Sequence, residues 1–369
     1  MSAMNIAILG IKGVPGHHGV EVVVDSLIPH LQALGHELTV FGYSSYTLDS
    51  DDYKGARVQT VHGLSHPSLE MVSHMFLASL KTRAENFDLI HVHSVDPCIL
   101  AWLPKSRYGV VATSHGQAYV RKKWGLIPRT MSKIAERFFV SVSKFKTSVS
   151  RPLADYYSFK YGTKVVYIPN GITLQERPGT EILSKFGVEA DRFIFCAAGR
   201  MERTKGVHTL LEAYAQMNTD VPLLIAGGGS GSDNRYFHEL KKDAPENVHF
   251  LGFLSGEPFF ALYAYARVFV FPSEYEAMSM SLLEGMSFGT PTVYSDIPEN
   301  RAVADGFGYP FTTADPDSLA HVLQYVLDHH DQARGVGMKA KKHIQEHHDW
   351  ANIAKQYHAL YTSTQRNDG

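Results

Sequence analysis

Short apolar runs ending in glycine alternate with stretches of helical periodicity along most of the chain. Asn5-Ile-Ala-Ile-Leu9 predicts a short, fully buried strand, followed by a glycine loop from Gly10 to Gly19. Val20, Val23, Val24, Leu27, Ile28, Leu31 and Leu34 then recur at helical spacing; Gly35 supplies the stop, and Pro29 is expected to bend the helix. Further strands are predicted at Leu38–Phe41, Val58–Val61, Leu89–His93, Val110–Thr113, Lys146–Val149 and Val165–Ile168. After the turn Pro169-Asn-Gly-Ile172 the chain is mixed and polar to about residue 191. The pattern then restarts, with strands at Phe193–Ala198, Leu223–Ala226, Val248–Leu251, Val268–Phe271 and Thr292–Tyr294 and a helix over Leu319–Leu327.

This alternation specifies parallel, doubly wound sheets. The chain therefore reads as α/β, with two Rossmann-like domains in tandem. The expected divisions are residues 1–172, a linker over 173–190, a second domain over 191–342, and a last helix over 343–369. In that helix Ile353, Tyr357, Leu360 and Tyr361 are expected to pack back toward the N-terminal domain. Open α/β sheets bind ligands beyond the carboxyl ends of their strands, which predicts a cleft between the two domains.

Composition narrows the class. A chain of 369 residues is too long for one ordinary core. With 44% hydrophobic and 20% charged residues and a net charge of −2, it gives no case for a nucleic-acid partner. The only cysteines, Cys98 and Cys196, lie in apolar surroundings, which argues against a disulfide framework and for a reducing compartment. The first residues lack a basic n-region and an apolar h-region, and no uncharged apolar run approaches the ~20 residues of a membrane span. A cytoplasmic location is expected.

Four groups of residues fall where such a fold places ligands. Glu276 and Glu284 flank the start of a helix expected near Met278, eight residues or roughly 12 Å of helical rise apart. With free N–H groups between them they suit a nucleoside diphosphate sugar, one carboxylate on the sugar and one on the ribose; two solvated glutamates beside a helix is the alternative. In Gly199-Arg-Met-Glu-Arg-Thr-Lys-Gly206, Arg200 and Lys205 suit a diphosphate. In Gly10-Ile-Lys-Gly-Val-Pro-Gly-His-His-Gly19, Gly19 at the helix start is the better ligand contact, while Gly10 and Gly13 suit a tight turn equally well. The loop is not the dinucleotide fingerprint, which disfavours a nicotinamide-dependent oxidoreductase. His115 follows a strand and suits a sugar hydroxyl or developing charge; His91 and His93, inside a strand, read as packing residues.

The order of these elements resembles the retaining glycosyltransferases of family four, which have the GT-B architecture. The resemblance spans nearly the whole chain through the glycine loop, Gly35-His-Glu-Leu-Thr-Val40, Asp88-Leu-Ile-His-Val-His93, Ile168-Pro-Asn-Gly-Ile172, Gly199-Arg200 with Lys205-Gly206, and Pro272-Ser273 before Glu276 and Glu284. It implies that Arg200 and Lys205 hold the donor diphosphate, Glu276 the sugar hydroxyls and Glu284 the ribose. Backbone N–H groups near Met280 and Ser281 would meet the sugar or phosphate, and Leu254 would lie near the base. Gly19 and His115 would complete the site. His115, Arg200, Lys205 and Glu276 are thus the candidate catalytic residues. Two departures stand out: His18-Gly19 where relatives have two glycines, and Ala277-Met278-Ser279 where Gly-Phe-Gly is usual. The N-terminal loop looks most like that of bacterial envelope-polysaccharide members.

Positive charge and a helix N-terminus stabilise a departing diphosphate without a divalent ion. No metal or cofactor is expected, and the D-x-D strings Asp49-Ser-Asp51 and Asp315-Pro-Asp317 sit in turn-like segments. With no convincing nucleophile on the acceptor side, front-face displacement is the expected mechanism, with a glycan or lipid-linked acceptor. Tyr119–Lys146 carries eight basic residues, Arg121, Lys122, Lys123, Arg129, Lys133, Arg137, Lys144 and Lys146, against the single acid Glu136. With Trp124, Met131, Ile134 and Phe139 interleaved, residues 119–146 suit peripheral contact with an anionic membrane; a basic face over the domain core explains them equally. A GT-B epimerase or small-sugar synthase, and a non-catalytic nucleotide-sugar binder, remain the competing functions.

Overall fold

The computed structural model describes residues 3–16, 19–47, 50–64, 69–117, 119, 126–229 and 234–366. His18, Asp49, Arg121, Lys122, Lys123 and Trp124, singled out above, lie outside them. The chain forms two compact units, Met1–Gly171 with Trp350–Gly369, and Ile172–Asp349.

The first unit holds strands β1 (Asn5–Leu9), β2 (Glu37–Tyr43), β3 (Asp52–Tyr53), β4 (Ala56–Val61), β5 (Leu89–His93), β6 (Val110–Ser114), β7 (Phe145–Ser148) and β8 (Val166–Tyr167). Helices α1 (Val20–Ala33), α2 (Glu70–Arg83), α3 (Leu126–Val142) and α4 (Arg151–Tyr161) alternate with them. The sheet order is β3-β4-β2-β1-β5-β6-β7-β8, parallel except for β3 against β4. Ile6, Ala7, Ile8 and Leu9 are all buried, as an uninterrupted apolar run in a central parallel strand requires.

The second unit holds β9 (Ile194–Arg200), β10 (Leu223–Gly228), β11 (Val248–Gly252), β12 (Val268–Phe271), β13 (Thr292–Ser295) and β14 (Tyr309–Phe311). Its helices are α5 (Val207–Gln216), α6 (Arg235–Lys242), α7 (Glu257–Tyr265), α8 (Met280–Ser287), α9 (Pro298–Ala304), α10 (Pro316–Asp328) and α11 (His330–His347). The all-parallel order β11-β10-β9-β12-β13-β14 is the doubly wound order 3-2-1-4-5-6. The strand order reverses between β9 and β12, and in the first unit between β1 and β5. Those are the points at which such sheets open a crevice for ligands.

Two boundaries differ from the sequence reading. Residues 180–186 form a 3-10 helix whose Leu183 is buried in the second core, so the expected linker over 173–190 is largely part of that unit. The returning helix, α12 (Trp350–Arg366), begins at Trp350 rather than 343. Residues before it belong to α11, whose buried face is Ala333, Gly337, Ala340 and Ile344. Three of those four are too small to register as a hydrophobic stripe. In α12, Ile353, Tyr357 and Tyr361 are buried in the first unit, with Leu360 half-buried. The His36 and His358 rings meet there at 2.8 Å (Nε2 to Nδ1).

Candidate functional site

In the second unit the switch point gathers the candidate charges. Arg200 ends β9, and the chain turns through Arg203–Lys205 into Gly206, which precedes α5. Gly206 has φ +65°, and a Cβ there would fall 2.0 Å from the Pro272 carbonyl oxygen. Only glycine lets this turn lie against the end of β12. The Glu274 N–H donates to the Thr204 carbonyl at 2.8 Å across the same junction. The result is a direct ion pair: Lys205 Nζ donates to Glu276 Oε1 at 2.6 Å, with the side chains 26% and 13% exposed. Arg200 is exposed, and among the described residues its side chain has no hydrogen-bond or ion-pair partner.

Glu276 lies in the turn before α8, which starts at Met280 rather than Met278. The two glutamates are therefore not separated by helical rise alone. Ser279 precedes the helix without a side-chain capping bond, so the first N–H groups, at Met280 and Ser281, are left for another acceptor. Glu284 sits one turn further on. Burial pushes its carboxyl up to about 7, partly offset by the Tyr263 hydroxyl. That hydroxyl approaches Ser281 and Glu284 without reaching full hydrogen-bond geometry. Glu284 is thus not a solvated glutamate. Leu254, after β11, packs half-buried on the second core.

In the first unit Gly19 immediately precedes α1, and among the described residues nothing lies within 4 Å of where a Cβ would sit. Gly13 and Gly16 are instead packed tightly against Thr47 and the Glu21 backbone. His115 follows β6, and its Nε2 lies 3.0 Å from Nδ1 of His93. The sequence reading had His93 as packing alone; its contact with His115 is an addition. The signal was present in His91 and His93, which two-residue alternation puts on one face of β5. Nothing in the sequence marked Tyr263 on the apolar helix α7.

The basic segment divides. Ala135 and Phe139 are buried in the first core, while Met131 and Ile134 are 42% and 43% exposed beside Lys133 and Arg137. Glu136 is fully buried and accepts from Gln117, Tyr119, Lys160 and Tyr161. It ties α3 and α4 to the loop after His115. Asp315 caps α10 by accepting from the Ser318 N–H at 3.0 Å, a structural use of one D-x-D string. Among the described residues no helix is long and apolar enough to cross a membrane.

Two doubly wound units with a C-terminal helix returning to the first define a GT-B protein. The Anabaena protein HepE, solved in complex with UDP and glucose, has this fold at TM-score 0.79 and 18% identity, over 98% of this chain and all of that one. The chain belongs to glycosyltransferase family four: residues 17–176 match the model described as Glycosyltransferase Family 4, and residues 180–343 match Glycosyl transferases group 1. Among its relatives is an uncharacterized glycosyltransferase of Methanocaldococcus jannaschii, 27% identical over 93% of this chain and 94% of that protein. Another is the O-antigen chain mannosyltransferase C of Escherichia coli, 24% identical over 78% of each chain. The protein is a glycosyltransferase.

Proposed function

We propose that this glycosyltransferase moves a hexosyl group, with retention, from a nucleoside diphosphate sugar to a glycan or lipid-linked acceptor of the bacterial cell envelope. The Lys205–Glu276 pair at the β9/β12 switch point, beside the uncapped start of α8, is the observation that carries the reading. Lys205 and the unpartnered Arg200 neutralise the diphosphate. The N–H groups of Met280 and Ser281 add donors, Glu276 orients the sugar hydroxyls, Glu284 takes the ribose, and Leu254 lies by the base. In the first unit, His115 and Gly19 are the residues that contact substrate. The anomeric C–O bond to phosphate breaks as the acceptor oxygen attacks the same face. The acceptor proton passes to the leaving phosphate oxygen, and nucleoside diphosphate departs. Fixed cations do the work of a divalent ion, so activity should survive chelation.

The O-antigen relative and the UDP bound by HepE support a polysaccharide pathway and a nucleotide-sugar donor. Exposed Met131 and Ile134 beside Lys133 and Arg137 support a peripheral contact with anionic lipid on the cytoplasmic side. Flotation with liposomes, with and without anionic lipid, tests that contact.

The donor assignment is tested by thermal shift with a panel of nucleotide sugars. At a ligand concentration 100 times Kd, mass action adds about 2.7 kcal/mol of stability. One donor should raise the melting temperature, and Lys205→Ala should abolish the rise. No response to any donor overturns the assignment. A glycosyl group trapped on a side chain would instead overturn front-face transfer.

A further inference from the structure

His115 is held from beneath by a row of imidazoles. β5 carries His91 and His93 on one face with ring centroids 4.0 Å apart. Both His91 nitrogens are engaged, Nδ1 with the Tyr361 hydroxyl and Nε2 with the Thr113 hydroxyl, each at 2.7 Å. His91 is therefore fixed, and it backs His93. The end of β1 closes on the same strand: a Cβ at Gly10, where φ is +83°, would lie 2.2 Å from the His93 carbonyl oxygen. His93 and His115 are stacked at 5.3 Å and 25°, with Nδ1 of His93 facing Nε2 of His115 at 3.0 Å.

Burial holds both imidazoles neutral at neutral pH, with His115 lowered to about 3 and His93 lowered well below the usual histidine range. Two neutral imidazoles share one N–H, so one must donate and the other accept. Whichever donates, Nε2 of His115 is spoken for.

We infer that His93 is a positioning residue: it engages Nε2 of His115 and couples the tautomer of His115 to its own, leaving Nδ1 as the only ring atom His115 can offer a ligand. This goes beyond the proposed function but rests on it for its purpose, since it matters to transfer only if His115 contacts substrate. The tautomer state of the pair therefore decides whether Nδ1 of His115 presents a donor or an acceptor to a sugar hydroxyl.

The test uses the full chain labelled with 15N-histidine. Long-range proton–nitrogen spectra report each imidazole tautomer, and His115→Gln assigns the His115 signals. His93→Asn keeps a polar atom near the place of Nδ1, whereas His93→Leu has the same size and none. His93→Leu should change the His115 tautomer ratio roughly fivefold from the wild type, as losing an ordinary hydrogen bond would, and His93→Asn should change it less. A merely structural role lowers thermal stability in both variants and leaves the His115 spectrum alone; that result overturns the inference. Thermal shifts with UDP, GDP, ADP and dTDP are run on the same samples. The spectra need no donor, so failure of every nucleotide to bind counts against the donor site and not against the histidine lock.

Discussion

Glu276 and Glu284 are the same side chain in opposite electrostatic situations. Glu276 is bonded to Lys205, whereas Glu284 is half-buried, with its carboxyl desolvated and the Tyr263 hydroxyl approaching it. A carboxyl raised from about 4.5 to about 7 keeps its proton in the folded protein after the unfolded chain has lost it. Its stabilising contribution is therefore complete below the unfolded value and is lost as pH rises through about 7. Glu284→Gln, which stays neutral, should gain on the wild type between pH 5 and pH 8, with roughly 3 kcal/mol as the ceiling. Urea unfolding at both values measures this, and a difference that stays flat with pH would refute it. Ribose hydroxyls donate best to an ionised carboxylate, so nucleotide affinity should climb through pH 7 in the wild type but not in Glu284→Gln. At this scale the sequence supplied residue types and order, enough to single out both glutamates. It was silent on the state of Glu284, because desolvation depends on α7, a separate element that brings Tyr263 against it.

Strands and helices were the most legible layer, since a buried parallel strand has little choice but an apolar run closed by glycine or proline. What escaped were elements whose burial is not written in large side chains. β3 and β14 are two and three residues long, and α11 buries mostly alanine and glycine. The start of α8 also slipped by two residues, because Met278 and Met280 look alike to a periodicity argument and only the backbone shows Ser279 in extended conformation. The junction between the Lys205 turn and β12 is where element geometry becomes site geometry. Gly206→Ala places a methyl group against the Pro272 carbonyl in a left-handed conformation, a cost of roughly 1–3 kcal/mol. The turn can relieve it only by moving away from β12 and taking Lys205 from Glu276. The variant should lower the urea midpoint and lose the nucleotide-induced thermal shift while keeping its circular dichroism. A variant that loses stability but binds nucleotide normally would show that the junction does not position the lysine.

The two units carry different acid responses, which sequence counting of 20 histidines does not reveal. The first unit buries His36, His74, His91 and His93, at 1–3% exposure. His36 and His74 are lowered to about 4 and His91 to about 3 by desolvation, with neighbouring histidines adding to the effect on His36, His91 and His93. The His74 ring stacks on Tyr43 at 3.8 Å, and His36 pairs with His358 of α12, so protonation strains packing as well as solvation. A lowered histidine contributes stability above its unfolded value near 6.5, and that contribution drains as pH falls toward the folded value. Each such group costs about 1.4 kcal/mol per pH unit across that window, so these four, with His115 as a fifth, form a steep acid limb when acting together. In the second unit Glu284 runs the other way and gains on acidification from pH 7 to pH 5, opposing the loss at half-buried His330 and His343, which burial also lowers. Calorimetry at pH 7.5 and pH 5.0 should therefore show a first-unit transition falling further than the second-unit transition. His36→Phe should shrink the separation by removing one of the protons taken up on unfolding. A single transition that shifts as one at both pH values would mean that the units unfold together and that the histidines do not set the acid limit.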